Sequence, residues 1–175
     1  MHTNKLRTLL QTGQPTLSTR VQNHWPSIVE VLGHTGLFDY VEFLAEYAPF
    51  TLHDLDHFCR AAELHNLGTM IKIDQEPKLP LAQRAIGSGF ESVLFVDVRS
   101  VEDIKYCVRI CRPDTPPDGG LFGAAGRRFA YGGGGHEVFS QMLRDVVVAI
   151  MMEKAPAVEQ LDEILDIPGI DMIQW

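Results

Sequence analysis

The chain has 175 residues and a mass of 19.6 kDa, which suits one domain with a sizeable core. Its 45% apolar and 22% charged residues exclude a disordered chain. A formal net charge of -8 argues against nucleic-acid or anionic-membrane partners, and no apolar run approaches the roughly 18 residues that span a bilayer.

The stretch Met1 to Thr19 is polar and lacks the apolar core of a signal peptide. A weak strand is predicted at Leu17–Val21, then a helix at Pro26–Gly33 and a strand at Tyr40–Leu44. A helix over Thr51–Leu64 follows, with Thr51 as its N-cap. Next come a strand at Thr69–Ile73, a helix at Leu79–Ser88, a strand at Ser92–Val98 and a helix at Val101–Arg109. A Pro- and Gly-rich loop over 113–136 leads to a short helix around Glu137–Arg144. The strand Val146–Met152 is apolar throughout, as a strand covered on both faces should be. A helix at Ala155–Leu165 and a strand at Asp171–Trp175 complete the series. Regular alternation of this kind predicts a parallel α/β fold with right-handed crossovers. Three cysteines without a Cys-x-x-Cys pair predict reduced thiols in the cytoplasm.

In α/β barrels and open α/β sheets, sites form at the C-terminal ends of strands. That rule selects Leu44 to Tyr47, Lys72 and Asp74, Asp97 and Arg99, and Glu153 and Lys154. Glu153 directly follows a long apolar run, where an unpaired carboxylate is costly. It is read either as a metal ligand or as a strand-end partner of a cation such as Lys72. Lys72 sits between Ile71 and Ile73, where it is a candidate carboxylate-binding group, a Schiff-base lysine, or a lysine that snorkels to the strand end.

Other motifs point to bland roles. His53 and His57 are one helical turn apart without a His-Glu-x-x-His pattern, and read as a polar helix face. Cys107 and Cys111 read as buried helical thiols. Gly132–Gly135 is neither a phosphate-binding nor a dinucleotide-binding loop. Arg127 and Arg128, in the same loop, are candidate grips for an anionic substrate. His136 is open to either a surface or a site role.

Taken together, the chain resembles the HpcH/HpaI aldolase family, metal-dependent class II pyruvate aldolases on a TIM-barrel fold. The likeness runs from about Asn4 to Trp175 and starts at Asn4-Lys5-Leu6. Gly36 to Glu42 resembles the family's "GFDWLLID", and Glu46-Tyr47-Ala48-Pro49 sits where the family has "EHAP". Met70 to Ile73 sits on "VRV", Arg112 to Gly120 resembles the "YPPxGxRG" loop, and Met151-Met152-Glu153 sits on "QIE". Val158 to Ile173 resembles the helix and strand that carry "PGID".

The resemblance implies aldol chemistry on a small 2-oxo acid through a pyruvate enolate. It further implies a divalent metal (Mg, Mn or Co) that stabilises the enolate. Carried over by position, Glu153 matches a metal ligand. Tyr47 replaces the base histidine, and Leu44 stands where its aspartate partner would be. Lys72 replaces an arginine, and Met151 a glutamine. Glu46 and Pro49 match. A phenol is a poor base near neutral pH, though it can donate a proton. The expected catalytic set is therefore Tyr47, Lys72 and Glu46, with Lys72, Arg127 and Arg128 at the substrate and Glu153 at the metal. The second metal ligand is expected beyond Trp175.

The fold expected from the resemblance is a single (β/α)8 barrel domain over 1–175, incomplete, with about six β/α units. A closed barrel takes about 250 residues. The remaining units are expected in a longer protein, or other chains are expected to cover the open edge. A homo-oligomer, the family's hexamer, is expected as well. Two alternatives remain open: a Schiff-base lyase using Lys72, and a non-catalytic keto-acid-binding homologue.

Overall fold

The computed structural model describes residues 3–123 and 134–175. Among them, six strands run parallel: β1 (Ser18–Val21), β2 (Tyr40–Leu44), β3 (Gly68–Ile73), β4 (Ser92–Phe95), β5 (Val147–Met151) and β6 (Met172–Gln174). They lie in the sheet in chain order, β1-β2-β3-β4-β5-β6. Helix α1 (Lys5–Gln11) precedes β1. Helices α2 (Pro26–Thr35), α3 (Leu52–Leu64), α4 (Lys78–Ser88) and α5 (Val101–Cys111) follow β1 to β4 in turn. Helix α6 (His136–Arg144) leads into β5, and α7 (Ala155–Val158) and α8 (Leu161–Leu165) connect β5 to β6.

Strand alternation divides the core in two. Val41, Phe43, Ile71, Ile73, Val93, Phe95, Val148 and Ile150 point outward and pack with helical residues such as Phe58, Ile86 and Ile104. The intervening residues Tyr40, Met70, Leu94, Val147 and Ala149 form a separate inner cluster with Leu6. The sheet is curled around that inner cluster. Gln174 on β6 lies 3.4 Å from Glu42 on β2, although the two strands are not sheet neighbours. The architecture is thus six β/α units of an α/β barrel.

One end of the interior is closed by α1. Asn4 caps that helix by accepting from the Arg7 N–H, and its amide donates to the Glu91 and Asp145 carbonyls at 2.8 and 2.9 Å. The Arg7 guanidinium donates to the Asp145 and Val146 carbonyls and to Asp171. All these acceptors lie at or before the N-terminal ends of their strands. The C-terminal ends are left as the mouth, where the parallel-strand rule places a site.

Three expectations differ from the structure. Helix α1 was not foreseen, because Leu6 is its one buried residue and its ties are polar. Strand β4 stops at Phe95 instead of Val98, since Asp97 turns into the left-handed region at φ 57°. The single helix predicted over Ala155–Leu165 is two, α7 and α8, interrupted where Gln160 leaves helical geometry. Of the 113–136 loop, Pro113 to Gly123 forms a turn closed by a bridge between Pro113 and Phe122. No helix among the described residues is long and apolar enough to cross a membrane.

Candidate active site

Lys72 lies on the inward-facing register of β3, opposite Leu44, and is 6% exposed. A buried ammonium needs partners to offset lost hydration. The turn that follows β2 supplies them. The Tyr47 N–H donates to the Leu44 carbonyl, and the Glu46 N–H donates to the Lys72 carbonyl at 3.3 Å, which folds the turn over the end of β3. Lys72 Nζ then lies 2.8 Å from Glu46 Oε2 and donates to the Tyr47 hydroxyl at 3.1 Å. It also sits 4.7 Å from the centre of the Tyr47 ring. Burial by itself pushes Lys72 down, but Glu46 and Tyr47 outweigh it and hold the ammonium above the ordinary lysine value. Lys72 is therefore a fixed cation, and Tyr47, 57% exposed, faces the mouth.

A second inner group lies beside it. Glu42 on β2 is 1% exposed. Its Oε2 is 3.5 Å from Arg20 Nε and accepts from Gln174 Nε2 at 3.4 Å, while Oε1 is buried without a hydrogen-bond partner among the described residues. Arg20 pairs with Glu42 in the β1–β2 register, so the two side chains share the inner face. Sequence reasoning passed over all three residues. The readable signal was a glutamate inside the otherwise apolar run Tyr-Val-Glu-Phe-Leu.

Glu153 and Lys154 follow β5 and meet Asp97, which follows β4. Lys154 Nζ lies 2.5 Å from Asp97 Oδ1, and the Asp97 N–H donates to Glu153 Oε1 at 3.3 Å. The salt bridge suggested between Glu153 and Lys72 is not formed, because Lys72 is taken by Glu46. Glu153 is exposed and offers one carboxylate. Among the described residues, no group of three or more His, Cys, Asp or Glu side chains could hold a metal ion. These residues alone do not make up the several oxygen donors that a divalent cation takes.

The remaining candidates do not join the site. His53 and His57 are exposed on α3. Cys107 and Cys111 are buried free thiols, both pushed up to about 12 by desolvation, and so are unreactive. His136 is exposed at the start of α6, 3.5 Å from Ser140. Arg127 and Arg128 lie outside the described residues.

No family model matches the chain. A 2-keto-3-deoxy-L-rhamnonate aldolase of Escherichia coli O1:K1 is 25% identical over 169 residues, covering 97% of this chain and 62% of its own length. The chain thus spans less than two thirds of the curated relatives it matches. An HpcH/HpaI aldolase/citrate lyase family protein from Burkholderia cenocepacia J2315 superposes with a TM-score of 0.86 at 26% identity, over 98% of this chain and 68% of that one. An HpcH/HpaI aldolase from Desulfitobacterium hafniense DCB-2 gives 0.84 at 24% identity, over 96% of this chain and 64% of that one, which speaks to the fold. The parallel barrel units and these matches along nearly the whole chain support, at low identity, its likeness to the HpcH/HpaI aldolase family.

Proposed function

We propose that this chain carries the substrate-binding mouth of an aldolase-type lyase that cleaves or forms a C–C bond in a small 2-oxo acid. The observation that supports this most directly is the Lys72–Glu46–Tyr47 cluster on the inner face at the C-terminal strand ends. A retro-aldol cleavage moves an electron pair from the breaking C–C bond onto the ketone oxygen. Donors fixed at that oxygen lower the barrier because they need no reorganisation when the charge develops. Lys72 supplies a permanent positive charge for it. Tyr47 accepts from Lys72 and keeps its own O–H proton available for the enolate carbon, while the 4-hydroxyl proton passes to water as the aldehyde carbonyl forms. Glu46 holds Lys72 in place and keeps it charged.

The same pairing disfavours the Schiff-base alternative. A nucleophilic lysine must be neutral, and Lys72 is held in its charged form. Glu153 has the family position of a metal-ligating carboxylate. As the described residues form no complete set around it, the steps above rest on Lys72, Tyr47 and Glu46 alone.

The test is pyruvate release from a panel of 4-hydroxy-2-oxo acids by the full-length protein, read by a coupled lactate dehydrogenase assay. Cleavage of at least one panel member is expected, with K72M slower by about 10²–10³-fold, the range for loss of a fixed charge-stabilising donor. Absence of cleavage across the panel, or a K72M rate equal to wild type, would overturn the proposal.

A further inference from the structure

Glu42 is the least expected side chain in the interior. A carboxylate with 1% exposure is costly unless it is well paired. Here the pairing is loose. The contacts to Arg20 and Gln174 are 3.5 and 3.4 Å, and among the described residues Oε1 has no hydrogen-bond partner. An apolar residue would stabilise this position better, so stability does not account for Glu42.

Arg20 is its counterpart. The Arg20 side chain is 56% exposed, on β1 and therefore across β2 from Lys72. Its contact with Glu42 uses Nε. Among the described residues neither terminal nitrogen makes a hydrogen bond. A guanidinium anchored by Nε and free at both ends presents a planar pair of donors, the geometry that takes a carboxylate in bidentate fashion. The cation found at the position of the expected arginine, Lys72, lacks that fork, and with Glu46 and Tyr47 as partners its three N–H groups leave one donor, enough for a single oxygen.

We infer that Arg20 binds the carboxylate of the substrate, and that buried Glu42, itself steadied by Gln174, is the positioning residue that aims it. The assignment rests on the lyase reading. It adds that two cations divide the work: Arg20 takes the acid group and Lys72 the ketone oxygen.

The test uses the full-length protein, with pyruvate as the binding probe and the hydroxy-oxo acid panel for turnover. R20M is expected to weaken pyruvate binding at least tenfold and to raise KM correspondingly, with kcat changing less than threefold. R20K is expected to recover part of the affinity, and added guanidinium is expected to rescue R20A. E42Q is expected to raise KM by a smaller factor. The double variant R20M/E42L removes the unpaired charge along with the arginine, so it is expected to fold as wild type and still bind poorly. Recovery of wild-type binding by R20M/E42L would overturn the assignment, as would a wild type that does not bind pyruvate. The lyase reading fails separately: a protein that binds pyruvate through Arg20 but turns over no panel member keeps this inference and loses that one.

Discussion

Lys72 and Glu46 form an ion pair at 2.8 Å across the mouth of the barrel, although they belong to different β/α units. The pair keeps a mostly buried ammonium charged. Its contribution is fully present below the unfolded lysine value of about 10.4 and is lost as pH rises through the higher folded value. Replacement E46Q removes the carboxylate that raises Lys72 and leaves desolvation to dominate. The alkaline limb of the activity profile is then expected to move to lower pH. An unchanged limb in E46Q would separate Lys72 from that titration.

Glu42 is expected to reduce stability. Its carboxylate is desolvated, loosely paired and partly unsatisfied. E42L is therefore expected to leave the unfolding free energy unchanged or raise it by about 1 kcal/mol or more, as when buried ionic groups give way to apolar ones. Denaturant unfolding of wild type and E42L measures this directly.

The two residues also show how far the sequence reads. Strand β5 was plain because its residues are apolar on both faces, β2, β3 and β4 were located as short, mostly apolar runs, and α3 on its apolar periodicity. Glu46, Tyr47 and Lys72 were legible as strand-end residues, and the structure brings them together. The group formed by Arg20, Glu42 and Gln174 was not. Its contacts join β1, β2 and β6, and one links residues far apart in the chain. The β1–β2 register sets Arg20 beside Glu42, and only the curl of the sheet brings Gln174 to them. Helix α1 stayed hidden for a related reason, since Asn4 and Arg7 bind backbone carbonyls of distant strands.

Asp118 is expected to set part of the acid sensitivity. Hydrogen bonds from Arg144 and from the Thr115 hydroxyl hold its carboxyl down at about 2. A depressed carboxylate contributes stability above its unfolded value of about 3.9, and that stability is lost as pH falls through the folded value. D118N is expected to lower stability at pH 7 and to flatten the decline between about pH 4 and 2. Thermal unfolding across that range distinguishes the two proteins.

Asp171 fastens the closed end of the barrel. It accepts from Arg7 at 2.7 Å and from the Val148 N–H at 2.9 Å, and it lies 3.7 Å from Arg112. D171N keeps the shape but removes the charge that two partly buried arginines face. A loss of about 3 kcal/mol or more is expected, the scale for breaking one side of a buried pair. Faster amide exchange in α1 is expected to accompany it, because Arg7 ties that helix to the sheet. Hydrogen-exchange mass spectrometry reports both effects.

The most direct test of the central claim, that the Lys72–Tyr47–Glu46 mouth stabilises the enolate of a small 2-oxo acid, is solvent deuterium exchange into the methyl group of pyruvate, followed by NMR with the full-length protein. Wild type is expected to exchange the methyl protons, with K72M slowed by about 10²-fold or more. A wild-type protein that leaves the methyl group unexchanged, or a K72M variant that exchanges it equally fast, would contradict the account.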